Sequence, residues 1–202
     1  MKGLIVKDLK LISAIGRFYI IFVSLVMLIS FFSAKTGFLS LYAVIFMSIL
    51  GPSTIAYDER DKWEKFALTL PITKAQYVSS KYLISLILSL AAMIIAVVSS
   101  AVNKGFSNAI LTNFAVYFVL SLFYPAISLP VILRFGYTKG KIPLVVFAAA
   151  FGSMGVFLAR LDFVYTYISH LNYFVFIAVF LSAIIFALSW FISVRLYNNK
   201  DI

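Results

Sequence analysis

The chain has 202 residues, 63% of them hydrophobic and only 12% charged, with a net charge of +10 and a mean hydropathy of +1.06. A soluble domain is about a quarter charged and about half apolar, so this composition excludes one and points to a chain that lies in a bilayer. Cysteine is absent, which removes disulfides, thiol catalysis and cysteine-held metals. The basic residues flank apolar runs instead of forming a stripe, so a membrane surface and no nucleic acid is expected as partner.

The first element, Met1–Ile15, reads as an amphipathic helix. Leu4, Ile5, Leu9, Leu11, Ile12 and Ile15 fall on one side of a helical wheel, and Lys7, Lys10 and Arg17 fall opposite. Such a helix lies in the membrane interface before the chain enters its first span. Asp8 sits inside the apolar arc, either paired locally with a lysine or reaching a partner. No small-residue cleavage site follows, so the first long apolar run is expected to remain in the mature protein.

A spanning helix needs about 20 mostly apolar residues. Spans are predicted near 16–34, 38–57, 82–102, 109–133, 142–160 and 172–194, giving an all-α fold of six transmembrane helices in one domain. Gly51-Pro52 punctuates the second span, and Pro125 and Pro130 punctuate the fourth; each proline removes a helical hydrogen bond and offers a kink or hinge. In the fifth span Gly152 and Gly155, with Ala148 and Ala159, give small-xxx-small spacings that suit close helix packing, within the chain or across a dimer seam. Residues 161–172 are too long and aromatic for a plain turn and read as an outer interfacial or re-entrant segment.

Between the second and third spans, Tyr57–Tyr82 concentrates charge: four of the seven acidic residues and five of the seventeen basic ones. Asp58–Leu70 is predicted as one helix, with acids in its first turns and Trp63, Phe66 and Leu70 on one face. Pro71 ends it, and Thr73-Lys74-Ala75-Gln76 has the form of a capping box, so a new helix is expected from there into the third span. Trp63 and Phe66 must be buried somewhere, in the headgroup layer or in a pocket on a soluble protein. The four acids favour the protein, since an anionic lipid surface would select against them.

With this topology, fourteen Lys and Arg fall on the side holding both termini and the charged segment, against three (Lys35, Lys104 and Arg160) on the other. Short loops rich in Lys and Arg face the cytoplasm, which places both termini there. The spans hold almost no interior charge, which argues against ion-coupled transport. His170 and Asp162 lie alone in the outer segment; no phosphate loop, paired carboxylates or nucleophile–histidine arrangement occurs. No catalytic, cofactor or metal site is therefore expected, and the chain is not expected to be an enzyme by itself.

MKGLIVKDLKLI at the start and YDERDKWEKFALTLPITKAQYVSSKY after the second span resemble half-size ABC-2 type permeases, over essentially the whole chain. Among these, the sequence is similar to the phenol-soluble modulin exporter permeases of Gram-positive bacteria. The resemblance implies a type V exporter-like architecture in the bacterial plasma membrane. It further implies a second copy of the chain or a homologous permease, and two soluble ATPase subunits that carry the ATP and Mg. Asp58–Leu70 would be the coupling helix, with Asp58, Glu59, Lys62, Trp63, Phe66 and Leu70 docking on the ATPase. Arg134, Lys139 and Lys141 would form a second contact, and Asp8 a third from the amphipathic start. An uncharged, aromatic-rich interior suits a hydrophobic or amphipathic cargo, such as amphipathic helical peptides. The competing readings are a membrane binder or immunity protein that acts without ATP, and a passive pore, which would need polar wall residues that the spans largely lack.

Overall fold

The computed structural model describes residues 2–32, 36–67, 69–104, 108–137, 146 and 172–199. Seven helices occur among them: α1 Lys2–Ile15, α2 Arg17–Phe32, α3 Thr36–Arg60, α4 Trp63–Ala67, α5 Lys74–Lys104, α6 Asn108–Phe135 and α7 Asn172–Asn198. Three of these contain stretches long and apolar enough to cross a membrane: Lys74–Val98, Phe114–Phe135 and Phe176–Asn198. Apart from Val146, the expected fifth span lies outside the described residues, as do the outer segment 161–171, Lys139, Lys141, Gly152 and Gly155.

The helix starts and stops follow local chemistry. At α5 the capping box forms as its residues dictate: the Gln76 N–H donates to Thr73 Oγ1 and the Thr73 N–H donates to Gln76 Oε1, each at 3.2 Å. α6 ends at Gly136, whose φ of 82° lies in the left-handed region that glycine enters without strain.

The charged segment departs from expectation. Asp58–Leu70 is not one helix: α3 continues to Arg60, the chain turns at Asp61 and Lys62, and α4 has only five residues. Lys62 takes the left-handed conformation (φ 52°), and its N–H donates to the Glu59 carbonyl at 3.2 Å, closing the α3 terminus. Leu70 lies beyond α4 in a bend, so Trp63, Phe66 and Leu70 do not form one helical face. The turn brings Trp63 back onto the apolar cluster of Ile55, Ala67, Tyr77, Val78 and Tyr197. Burial of the indole against that cluster is what a straight helix would forgo.

None of the three prolines breaks its helix; Pro52 lies inside α3, and Pro125 and Pro130 lie inside α6. A proline at position i frees the carbonyl of residue i−4. For Pro125 that residue is Ser121, whose carbonyl accepts a 3.0 Å hydrogen bond from Ser89 Oγ of α5. For Pro130 it is Ala126, whose carbonyl accepts a 2.5 Å bond from Ser189 Oγ of α7. Ser189 is itself 2.7 Å from the Tyr82 hydroxyl, which also lies 2.7 Å from Ser193 Oγ. Neighbouring hydroxyls thus satisfy two backbone groups that an apolar interior would leave unpaired.

Gly51 sets the approach of α3 to α5. A Cβ there would lie 2.2 Å from Ser85 Oγ and 2.7 Å from Ser85 Cα, so no larger residue fits at this separation. The helices run antiparallel from that contact: Gly51 faces Ser85, Thr54 faces Lys81, and Asp58 faces Lys81 and Tyr77. A second apolar cluster, including Val23, Val44, Met93, Ala96 and Tyr117, fills the other half of the bundle.

Candidate functional site: a charged junction at one end of the bundle

The ends of α3, α6 and α7, the middle of α1 and the start of α5 meet in one place. Lys74 Nζ donates to the Asn198 carbonyl at 3.2 Å, joining the start of α5 to the end of α7. On α1, Leu4, Asp8 and Ile12 are four residues apart and all buried, so they form the stripe that faces the bundle.

Asp8, Asp58 and Lys81 are 1%, 3% and 1% exposed, and they contact one another. Lys81 Nζ lies 2.8 Å from Asp8 Oδ2, 2.6 Å from Asp58 Oδ2 and 3.3 Å from Thr54 Oγ1. Lys7 caps the group from the half-buried side. It donates to Asp58 Oδ1 and approaches Asp8 Oδ1 at 3.0 Å, the latter an ion pair without hydrogen-bond alignment. The Tyr77 hydroxyl donates to Asp58 Oδ2 at 3.0 Å. Two ammonium groups and two carboxylates give a neutral set, which is how charge is tolerated away from water. Its three buried members come from α1, α3 and α5, so the set ties the amphipathic start to two bundle helices.

Glu59 makes a different connection. Both of its carboxylate oxygens accept from the Tyr137 N–H, at 3.0 and 2.9 Å, just past the end of α6. The turn after α3 and the segment that follows α6 are therefore joined directly. Gly136 beside it is favoured by its φ of 82°, and a Cβ there would also crowd Glu59 Oε1 at 3.2 Å.

Trp63 leans inward, with Lys7 Nζ 4.7 Å from its ring centroid and Phe66 at 5.2 Å between ring centroids. Phe66 and Leu70 face outward, 54% and 38% exposed. Arg60, Lys62, Lys65, Arg134 and Phe135 are exposed as well. Asp61 is exposed, but its carboxyl is held below the usual range by the hydrogen bond from Arg60, 2.9 Å away.

Folding has sorted the mixed charge of this segment. Of the residues expected to dock on a partner, Asp8 and Asp58 are buried within the chain, and Glu59 is engaged with Tyr137. Trp63 packs inward, while Lys62, Phe66, Leu70 and Arg134 remain at the surface. Lys81 and Tyr77 were not singled out from sequence. The one available signal was Asp8, an acid on an apolar face that needs a buried cation. Among the described residues no group of histidine, cysteine and acidic side chains is placed to hold a metal ion.

The long apolar helices, with two prolines whose freed carbonyls are met by serines, define a multi-pass membrane protein, and most of the charge among the described residues is gathered at one end. The model of the ABC-2 family transporter proteins matches residues 3–198, and the chain belongs to that family. It is thus a membrane component of an ABC transporter, a class that associates with an ABC ATPase. No curated protein and no solved structure matches the chain.

Proposed function

We propose that this chain is the permease subunit of an ATP-driven exporter in the bacterial plasma membrane, with the charged junction and both termini in the cytoplasm. Two copies, or one copy and a homologous permease, would pair with two soluble ATPase subunits that hold ATP and Mg. Family membership supports the permease role, and the lysine and arginine distribution supports the orientation.

The observation that carries the docking proposal is the exposure of Phe66 and Leu70 among Arg60, Lys62 and Lys65 on a junction fastened to the bundle. Apolar anchors within a charged rim are the usual energetic centre of a protein contact. The docking set is accordingly Phe66, Leu70, Lys62 and Arg134, with Trp63 as the support beneath Phe66. Closure of the ATPase pair would move this surface. The ion set would carry the motion into α1 and α5, and Glu59 would carry it into α6, rocking the bundle between inward- and outward-open forms. The cargo proposed is hydrophobic or amphipathic, with amphipathic helical peptides such as phenol-soluble modulins the leading class.

The test is reconstitution with an ABC ATPase that co-purifies stoichiometrically with the chain. Phe66→Ala with Leu70→Ala should weaken binding by roughly 30-fold or more, the effect of losing about 2 kcal/mol at an anchor, while insertion is unchanged. Undiminished binding would remove this face from the contact. Amphipathic helical peptides should stimulate ATP hydrolysis and be moved; failure of both would refute that cargo class. Absence of any stoichiometric ATPase would favour a membrane binder that works without ATP.

A further inference from the structure

The two proline positions of α6 differ from the rest of that helix in what restrains them. Elsewhere the backbone holds its own direction through hydrogen bonds four residues apart. At Ser121 and Ala126 the carbonyl has lost that partner to Pro125 and Pro130. Its replacement comes from another helix each time: Ser89 of α5 for Ser121, and Ser189 of α7 for Ala126.

We propose that α6 is a lever with two separately latched bends, one set by α5 through Ser89 and the other by α7 through Ser189. All four latch residues are buried, so water does not offer a ready substitute donor. Displacing α5 or α7 along α6 therefore either changes the bend at that proline or breaks the latch. Tyr82 links the two sides: it belongs to α5, yet its hydroxyl contacts Ser189 and Ser193 of α7. At its far end α6 is clamped by Glu59 through Tyr137, beside the exposed junction. A helix held at one end and steered at two interior points converts small shifts of its neighbours into a change of shape. Ser89 and Ser189 are positioning residues in this device. The use of the bends in a transport cycle rests on the proposed function, whereas the latches stand on geometry alone.

The chain has no cysteine, so a spin-label pair can be introduced directly at the exposed positions Val116 and Phe135, which bracket both prolines. Their backbones are separated by roughly 29 Å along the helix, a span that pulsed dipolar spectroscopy measures well. The doubly labelled chain in lipid nanodiscs should give one distance population. Ser89→Ala and Ser189→Ala should each add a second population. Pro125→Ala restores an N–H for Ser121 and should make Ser89→Ala silent, yet it should leave the effect of Ser189→Ala intact. Pro130→Ala should do the converse. Wild-type distributions in both serine variants would overturn the proposal. So would a Ser89→Ala effect that persists beside Pro125→Ala, since that would mark a packing defect. Should Ser89→Ala alone fail to fold, recovery in the Pro125→Ala background supports the latch and failure there overturns it. No ATPase or cargo is needed, so failure here would leave the proposed function standing.

Discussion

Replacing Lys81 with methionine removes one ammonium from a buried set of two cations and two anions. Asp8 is 1% exposed and then keeps only the misaligned ion pair to Lys7, while Asp58 retains Lys7 and Tyr77. Breaking a buried pair by deleting one partner costs about 3–5 kcal/mol, because the remaining charge is left uncompensated. For a chain of this size each kcal/mol lowers the melting temperature by roughly 2–4 °C, so Lys81→Met should fall by roughly 10 °C. Asp8→Asn should be milder, since the amide oxygen still accepts from Lys81. The decisive variant is the double one. Lys81→Met with Asp8→Asn returns the set to neutrality, with Lys7, Asp58 and Tyr77 still bonded, and should be more stable than Lys81→Met alone. The coupling between the two positions should be about 2 kcal/mol, within the range for residues in one network. Thermal unfolding of the purified protein in detergent, followed by size-exclusion fluorescence, measures all four corners of the cycle. Additive losses would refute the reasoning, for they would mean that Lys81 and Asp8 do not share one electrostatic balance.

Gly51→Ala should destabilise the bundle by about 1–3 kcal/mol, as overpacking does in a close contact, because its Cβ would meet Ser85 backbone at 2.7 Å. The same thermal assay reads this, and an unchanged melting temperature would show that α3 and α5 are not pressed together there. At Lys62, whose φ is 52°, glycine should be neutral or slightly stabilising. Valine there should be less stable than the glycine variant by about 1–2 kcal/mol, the cost of a left-handed backbone for a residue with a Cβ, which β-branching does not ease. Equal stability of the two variants would mean that the turn after Arg60 is not a fixed feature.

Much of the bundle was legible because its signals are local. The run of apolar residues from Leu83, the Thr73–Gln76 box and the alternation of charge with greasy stretches each act over one helix or one turn. The structure places helix boundaries within a few residues of those signals. What could not be read was the pairing of distant residues. Lys81 looked like a flanking cation at the head of a span, and its two carboxylates lie 73 and 23 positions away. Nothing short of packing α1 and α3 onto α5 brings them together. The proline latches were hidden for the same reason. Serines are unremarkable in a membrane span, and only the three-dimensional match of Ser89 and Ser189 to the freed carbonyls gives them a role.

The charged segment shows how far a sequence-level charge count can mislead. Its four acids favoured a protein partner over anionic lipid, on the assumption that all of them face outward. Folding withdraws Asp58 into the ion set, engages Glu59 with Tyr137 and pairs Asp61 with Arg60. Asp61 stays at the surface beside Arg60 and Glu64 is half-buried, so the face that remains is mainly basic and apolar, and charge mixture no longer distinguishes a lipid surface from a protein groove. The stronger distinction is mechanical. A face that only rested on headgroups would use the buried ion set joining α1, α3 and α5, and the carboxylate clamp onto the end of α6, for stability alone. A face that is pushed needs such connections, because a displacement applied at Phe66 moves the bundle only if the turn beneath it does not yield. The Lys81→Met variant therefore bears on function as well as stability. If the junction transmits force, the loosened chain should still bind its ATPase through Phe66 and Leu70 while ATP hydrolysis loses its response to cargo. Loss of binding and response together would instead assign the ion set to shaping the docking surface.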